Sequence, residues 1–574
     1  MRPWRSALVG GMASVALVLS VVSASGLAGA QGTHKRTAAA GGTLVYALPE
    51  QTQIPWYFPY ANAANASLYS FELIDQLYLP LFYIGDNYKI NYADSIADKV
   101  TYNKAGTIYH VFMNPKWKWS DGAPVTSADA QFGWNMLIAT MNPKAPAPWP
   151  NDSYGSGDVP TNIQSFAVNG TYEFTVTLKK PVNQEWFIYN GLNLLYVMPA
   201  QAWNKYPTDT AKEVAYLGKN ATNPTFDTPV DGPFELQSAT QSQDWVLVPN
   251  PSFAGHRSTL SRLIFQYEGS DAAEFAGLKT GTIQVGYLPA ADWAARSQLS
   301  LDTMSEEFGY IFNYTMINMT AQAPGGVGKI FSQLYVRQAL SEATDQSAIV
   351  NVIYHGQAKA QYGPIPSDPR TDFFDPALAK PLYPYNLAAA KKLLTSHGWK
   401  EVGGVMTQGK EQLKFTMIYP SGDEAQTEAA ELMQADWAKI GVQVTLKPTP
   451  LVTEFGLEDK PNAWQIAAGT GIIYGGTYPS GESLFYKNQG LDTMGWNNPE
   501  ENALVEKTIS PSPTPAANLR NFYAYEMYTA RALPGLWFPE TATDVEVEHN
   551  VLGFSVDTNN PVTGIPLMNF WSVK

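Results

Sequence analysis

Leu413-Lys414-Phe415-Thr416-Met417-Ile418 and Val442-Gln443-Val444-Thr445-Leu446 are two short runs rich in apolar and β-branched residues, set one helix-length apart. Between them Asp423 stands at a helix N-cap position. Ala429, Leu432, Met433, Trp437 and Ile440 then recur at helical spacing, and Gly441 follows as a stop. Strand, helix and strand in that order form the unit of a right-handed parallel crossover. The same pattern extends upstream. Asp345 caps Gln346 to His355, which ends at Gly356, and Asn386 caps Leu387 to His397, which ends at Gly398. His355 and His397 fall in the last helical turns, where a cation suits the helix dipole. From about residue 310 the chain therefore reads as a doubly wound α/β lobe.

The first half reads as mixed α+β. Thr43 to Leu48 is a buried-strand pattern and Thr107 to Met113 alternates. Asn169-Gly170 turns into a strand over Tyr172 to Leu178. Phe234-Glu235-Leu236 and Trp245 to Val248 flank a polar loop, as in a hairpin. No internal repeat is visible, which argues against a solenoid or propeller.

The chain has 574 residues, too many for one core. Only 15% of them are charged, but 16 Trp, 32 Tyr and 25 Phe argue against disorder. A formal charge of −14 argues against a nucleic-acid partner held by a basic face. The absence of Cys excludes disulfides, thiolate metal sites and an N-terminal lipid anchor on Cys. Residues 1–30 read as a cleaved signal peptide: Arg2 and Arg5, an uncharged run from Ala7 to Val22, then Ala28-Gly29-Ala30. The competing reading is an uncleaved anchor, for which the apolar run is short. The low charge also fits an acidic habitat, where few carboxylates should change charge.

Catalytic patterns are thin. No two of the six His stand at helical metal-site spacing, and there is no GxSxG elbow or Walker loop. Gly469-Thr470-Gly471-Ile472-Ile473-Tyr474-Gly475 approaches a dinucleotide turn, but its last Gly comes one residue late. A bend beside a ligand or another backbone explains it better. An acid pair for glycosidase chemistry is not singled out among 51 carboxylates. The abundance of Trp suggests flat faces for peptide or sugar, against the plainer reading that most of it is core.

Several strings, taken in order, carry a resemblance. Trp117-Lys118-Trp119-Ser120-Asp121-Gly122-Ala123-Pro124-Val125-Thr126-Ser127-Ala128-Asp129 reads as a strand ending at Ser120, a turn, and a helix capped by Thr126 with Asp129 at N3. Leu77 to Phe82, Asp231-Gly232-Pro233-Phe234, Val248-Pro249-Asn250-Pro251, Val336 to Asp345 and Ile440-Gly441-Val442 follow. Together they resemble family 5 solute-binding proteins of ABC importers, which include oligopeptide-, dipeptide- and nickel-binding proteins.

The resemblance implies a two-lobed periplasmic-binding-protein fold (class II, cluster C type), α/β with α+β portions, carrying an extra inserted domain. On that pattern 31–42 is a flexible lead, and 43–78, 196–309 and 536–574 form lobe I. Residues 79–195 form the inserted domain and 310–535 the α/β lobe III. The crossings between lobes fall near Glu307–Asn313 and Gly535–Phe538. The implied function is capture of a solute, peptide by default, by hinge closure, and its delivery to ABC permease subunits in the membrane. The expected protein is an extracytoplasmic monomer without cofactor, metal or catalysis. A chemoreceptor carrier or chaperone on the same scaffold and a secreted hydrolase are the competing classes.

Where peptide binders of the family carry an Asp, in a W-x-x-D-Y segment, this sequence has Tyr474-Gly475-Gly476-Thr477-Tyr478. Thr477 stands in place of the carboxylate that meets a peptide ammonium. Between Ala463 and Tyr486 the one charge is Glu482, which points to a neutral oligosaccharide or another uncharged solute as the alternative ligand. The ligand-binding candidates are Tyr474, Thr477 and Tyr478, with Trp537 from the second crossing, and Asn65 and Ser67 from the loop after the first strand.

Overall fold

A computed structural model describes residues 41–226, 229–487 and 492–574. The expected signal peptide, residues 1–30, and most of the expected 31–42 lead lie outside the described residues.

Two sheets organise the described chain. One has seven strands in the order Asp302–Glu307, Thr543–Glu548, Val285–Tyr287, Thr43–Ala47, Arg262–Gln266, Asp244–Pro249, Phe234–Thr240. Thr43–Ala47 is parallel to both its neighbours, and the outer pairs are antiparallel. The other has five strands in the order Gln443–Thr449, Lys414–Pro420, Ile466–Ile473, Ile311–Ile317, Leu536–Phe538.

The two strands that open the sequence analysis pair in parallel, with Phe415 opposite Val444. The helix Glu424–Lys439 joins them, capped by Asp423, whose side chain accepts from the Gln426 N–H at 2.8 Å. Its Ala429, Met433 and Trp437 are buried. The sheet is not parallel throughout, as a doubly wound lobe would be. Ile311–Ile317 and Leu536–Phe538 run antiparallel to their neighbours. The physical reason is connectivity: these two strands carry the chain in from the other sheet and out again.

Glu307 lies opposite Thr543 in the seven-stranded sheet, and Asn313 opposite Phe538 in the five-stranded one. The two connections, 308–310 and 539–542, thus run side by side. The second crossing comes after the expected Gly535–Phe538, because Leu536–Phe538 is still strand in the five-stranded sheet.

A four-stranded antiparallel sheet, Ala97–Tyr102, Ile108–Met113, Glu173–Leu178, Ile163–Gly170, forms from residues between the first two strands of the seven-stranded sheet. Asn169-Gly170 closes its last strand rather than forming the turn itself.

One apolar core joins this four-stranded sheet to the seven-stranded one, and a second fills the five-stranded sheet and its helices. Trp56, Trp117, Trp119, Trp186, Trp203, Trp245, Trp437, Trp464 and Trp571 are all fully buried.

The strings behind the resemblance are structural joints. Leu79 N–H donates to Asp231 Oδ1 at 3.1 Å, and Gly232 N–H to Leu77 O at 2.7 Å. A Cβ on Gly232 would stand 2.5 Å from the Leu77 carbonyl carbon, so only Gly fits. Trp117 to Val125 folds back on itself with one isolated bridge, Lys118 to Pro124, and no strand ends at Ser120. The Asp129 carboxylate accepts from the Thr126 N–H and hydroxyl, both at 2.8 Å, and from the Ala200 N–H at 3.1 Å. Arg337 is buried and donates to Phe331 O at 2.7 Å and Ala532 O at 2.9 Å.

His397 ends its helix as expected, its Nδ1 lying 2.9 Å from Leu393 O. His355 does not. The helix from Gln346 widens to a π-turn over Ile349–Ile353, and His355 lies beyond it at φ 51.

Candidate functional site

Two cavities adjoin, the larger of them between the two sheets. One, of about 440 Å³, is walled by Tyr46, Tyr287, Glu307 and Val545 of the seven-stranded sheet. Asn313 and Gly469 to Ile473 of the five-stranded sheet, and Asn559 to Pro561, complete it. The other, of about 270 Å³, is walled by Tyr83, Asn151, Tyr189 and Tyr196 on one side and by Ile473 to Gly475 and Thr477 on the other. Leu68, Phe71, Asp152 and Ile473 border both. Their sizes suit a small organic ligand. A more open hollow of about 560 Å³, beside the helix Ser127–Thr140, touches neither.

The helix Leu68–Leu77 supplies one wall. Ser67 caps it, its Oγ accepting from the Ser70 N–H at 3.1 Å. Leu68, Phe71, Glu72 and Asp75 recur at helical spacing and share the face that borders the cavities. Glu72 is buried and accepts from the Tyr46 hydroxyl at 3.0 Å; burial pushes its carboxyl up to about 8. Asp75 accepts from the Tyr196 hydroxyl at 2.7 Å and is pushed up to about 7, again by burial. Asp152, held by its own N–H on Ala61 O at 3.0 Å, is raised by burial to about 6. Glu307 accepts from Asn559 Nδ2 at 2.7 Å and is raised by burial.

The opposite wall is the glycine segment. Gly469 sits at φ +78 within a continuous strand, beside a register shift at Tyr314/Met316. A Cβ on Gly471 would lie 2.3 Å from Asn313 Oδ1. The glycines therefore allow close approach of a neighbouring strand and form no dinucleotide turn. The Thr470 hydroxyl in this wall is buried without a hydrogen-bond partner among the described residues.

The sequence candidates divide. Tyr474 and Thr477 border the smaller cavity, with Tyr474 OH donating to Pro364 O and the Thr477 hydroxyl to Tyr474 O, both at 2.5 Å. The Thr477 hydroxyl is thus engaged within its own turn. Ser67 borders the larger cavity. Asn65 lies in a 3-10 turn, bonded to Asn62 Oδ1 at 2.7 Å, and it is the adjoining Ala66 and Ser67 that reach the wall. Tyr478 packs among Tyr88, Tyr189, Phe373 and Phe522 rather than on the cavity wall. Trp537 is core: it pairs with Tyr314, contacts Phe312 and Phe485, and borders a separate pocket of about 190 Å³.

Among the described residues no Trp lines either cavity, as the plainer reading of Trp as core implies; Tyr residues do. One further expectation is corrected: the site is not free of ionisable side chains. Ala463 to Tyr486 forms only one wall, and the facing walls carry Glu72, Asp75, Asp152 and Glu307. Two acids and no base on one face of Leu68–Leu77 were the available sequence signal.

Glu482 holds two walls together instead. It is 3% exposed, accepts from Asn190 Nδ2 at 2.9 Å and Gly157 N at 3.4 Å, and contacts the Ser480 hydroxyl. Burial raises it to about 7. Asn190 also binds Tyr478 O at 3.0 Å and Tyr478 N at 2.9 Å. On the far side Glu424 N–H donates to Asp271 Oδ2 at 3.2 Å. Glu50 nearby is pushed up to about 10 by burial, then by Asp423, Asp271 and Glu274.

The family model described as bacterial extracellular solute-binding proteins, family 5 middle, matches residues 91–491. The chain belongs to this family. Its two-sheet fold agrees with solved structures. The oligopeptide-binding protein AppA from Bacillus subtilis, in complex with a nonapeptide, superposes with TM-score 0.79 at 19% identity, covering 93% of this chain and 99% of that one. Lactococcal OppA, complexed with an endogenous peptide in the closed conformation, gives 0.76 at 18% identity, covering 93% of this chain and 100% of that one. By sequence, AppA is 23% identical over 435 residues, 74% of each chain. A putative ABC transporter peptide-binding protein of Brucella ovis is 28% identical over 330 residues, 57% of this chain and 55% of its own. This family 5 protein is thus an extracellular solute-binding protein by kinship. Among its described residues no helix is long and apolar enough to cross a membrane.

Proposed function

We propose that the protein is the extracytoplasmic binding subunit of an ABC importer, exported by residues 1–30, and that its solute is a short peptide. The observation that carries this reading is the larger cavity at the paired crossings 308–310 and 539–542, walled by both sheets, with the smaller cavity adjoining it at Leu68, Phe71, Asp152 and Ile473. Side-by-side connections permit rotation of one sheet unit against the other, and a cavity at their seam is buried by that motion. Membership in the solute-binding family, and relatives named for oligopeptide binding, support peptide as solute and a membrane permease as partner. The wall carboxylates replace, from another element, the acid missing at Thr477. They favour peptide over the uncharged solute that Glu482 alone suggested.

Native mass spectrometry of the purified mature chain, before and after mild denaturation, tests the proposal. The expected result is a one-to-one complex releasing short peptides, and rebinding of synthetic copies that are recovered unaltered. Release of sugars alone refutes peptide as the solute. Chemical alteration of the rebound ligand refutes the binding role.

A further inference from the structure

The walls of the two cavities carry four carboxylates, from Glu72, Asp75, Asp152 and Glu307. Among the described residues they include no Lys, Arg or His. Glu72, Asp75 and Glu307 each accept a hydrogen bond from a neutral donor on the protein: the Tyr46 and Tyr196 hydroxyls and the Asn559 amide. Asp152 differs. It borders both cavities, and its carboxyl is met by the hydroxyl of its own neighbour Ser153, at 3.2 Å, and by the backbone N–H groups of Asp152 and Ser153, with no side-chain donor from another element. On the wall of the larger cavity, the buried Thr470 hydroxyl has no partner among the described residues. The other titratable groups on these walls are tyrosines: Tyr46, Tyr69 and Tyr287 in the larger cavity, and Tyr60, Tyr83, Tyr189, Tyr196 and Tyr474 in the smaller.

A charge taken out of water needs an opposite charge or several hydrogen bonds. A ligand ammonium or guanidinium meets four acceptors here. A ligand carboxylate meets four acids and no base. We infer that the site selects ligands bearing a positive group and no free carboxylate inside the cavity, with Asp152 as the residue that receives the positive group. This rests on the peptide reading only for the choice of probes, since the charge argument holds equally for a non-peptide amine. All three carboxylates with stated values are pushed upward by burial, as expected of acids that lack a cationic partner on the protein.

The test uses the mature chain and one randomised tripeptide library in four forms: free at both ends, acetylated at the N-terminus, amidated at the C-terminus, and capped at both. A parallel pair of probes, a linear diamine and a dicarboxylic acid of equal length, serves if peptide is the wrong class. Native mass spectrometry reads binding and calorimetry reads affinity. The expected order places the C-terminal amides first and the N-acetylated acids last, at least tenfold weaker. Asp152→Asn, which keeps the shape and the backbone bond to Ala61, should remove that preference. Glu72→Gln should reduce it less.

Tighter binding of N-acetylated acids, or an unchanged ranking in Asp152→Asn, overturns the inference. If the diamine binds and no peptide form does, the peptide reading fails and the charge inference stands. If the dicarboxylic acid is the probe that binds, or none of the probes does, the charge inference is overturned.

Discussion

Replacing Glu482 by Gln should change how stability depends on pH. The carboxyl is buried, and its ordinary value of 4.5 is raised to about 7, first by burial and against the opposing pull of its bonds to Asn190 and Gly157. A folded-state value above the unfolded one means that the native state holds the proton longer. Stability is therefore fully present below about pH 4.5 and is lost as pH rises through about 7. A shift of roughly two to three units corresponds to about 3 kcal/mol lost across that window. Gln does not titrate, and its carbonyl can take the Asn190 and Gly157 donors while its amide faces the Ser480 hydroxyl. The wild-type minus variant difference should thus move by about 3 kcal/mol against the wild type between about pH 4.5 and pH 8. Guanidinium unfolding at both pH values, followed by Trp fluorescence, measures it. A difference that stays constant with pH would show that Glu482 is ionised in the native protein, and would refute the reasoning.

Three other substitutions have expected outcomes. Gly564→Ala places a Cβ 2.5 Å from Ile473 Cδ1 and 2.9 Å from Leu68 Cδ1, at φ +69. It should cost about 1–3 kcal/mol and weaken ligand binding, read by melting and calorimetry. Asp129→Ala removes an acceptor for three donors at the start of the helix Ser127–Thr140, and should lower the unfolding midpoint by the equivalent of about 1–2 kcal/mol. Arg337→Met leaves the Phe331 and Ala532 carbonyls without their donors, and should cost about 2–5 kcal/mol by the same assay.

Local readings from the sequence hold where one or two side chains decide the outcome. Asp345, Asn386 and Asp423 cap their helices through bonds made within a few residues. The Phe234 and Trp245 runs pair because their loop is short. Long-range assembly was not readable in this way. Nothing near Thr543–Glu548 announces that it pairs with strands before residue 308, and the antiparallel half of the five-stranded sheet was not legible either; the second crossing falls directly after the stretch expected for it. Trp537 drew notice as an aromatic beside that crossing, but its strand position turns it into the core. The acids of the facing walls escaped notice for the same reason. A cavity between two sheets takes its chemistry from all its walls, and one window of sequence shows one wall. The π-turn at Ile349–Ile353 has no periodic signal, and it displaces His355 by letting the helix end early.

The strand Thr543–Glu548 lies between Val285–Tyr287 and Asp302–Glu307 and pairs with both. A nascent chain that has emerged only as far as residue 535 therefore holds two strands whose shared neighbour does not yet exist. Each presents a bare row of backbone donors and acceptors, and the sheet that contains the very first strand cannot be completed until nearly the last residues arrive. High sequence separation of this kind slows folding. The order of synthesis thus leaves the seven-stranded sheet unfinished until nearly the end of translation.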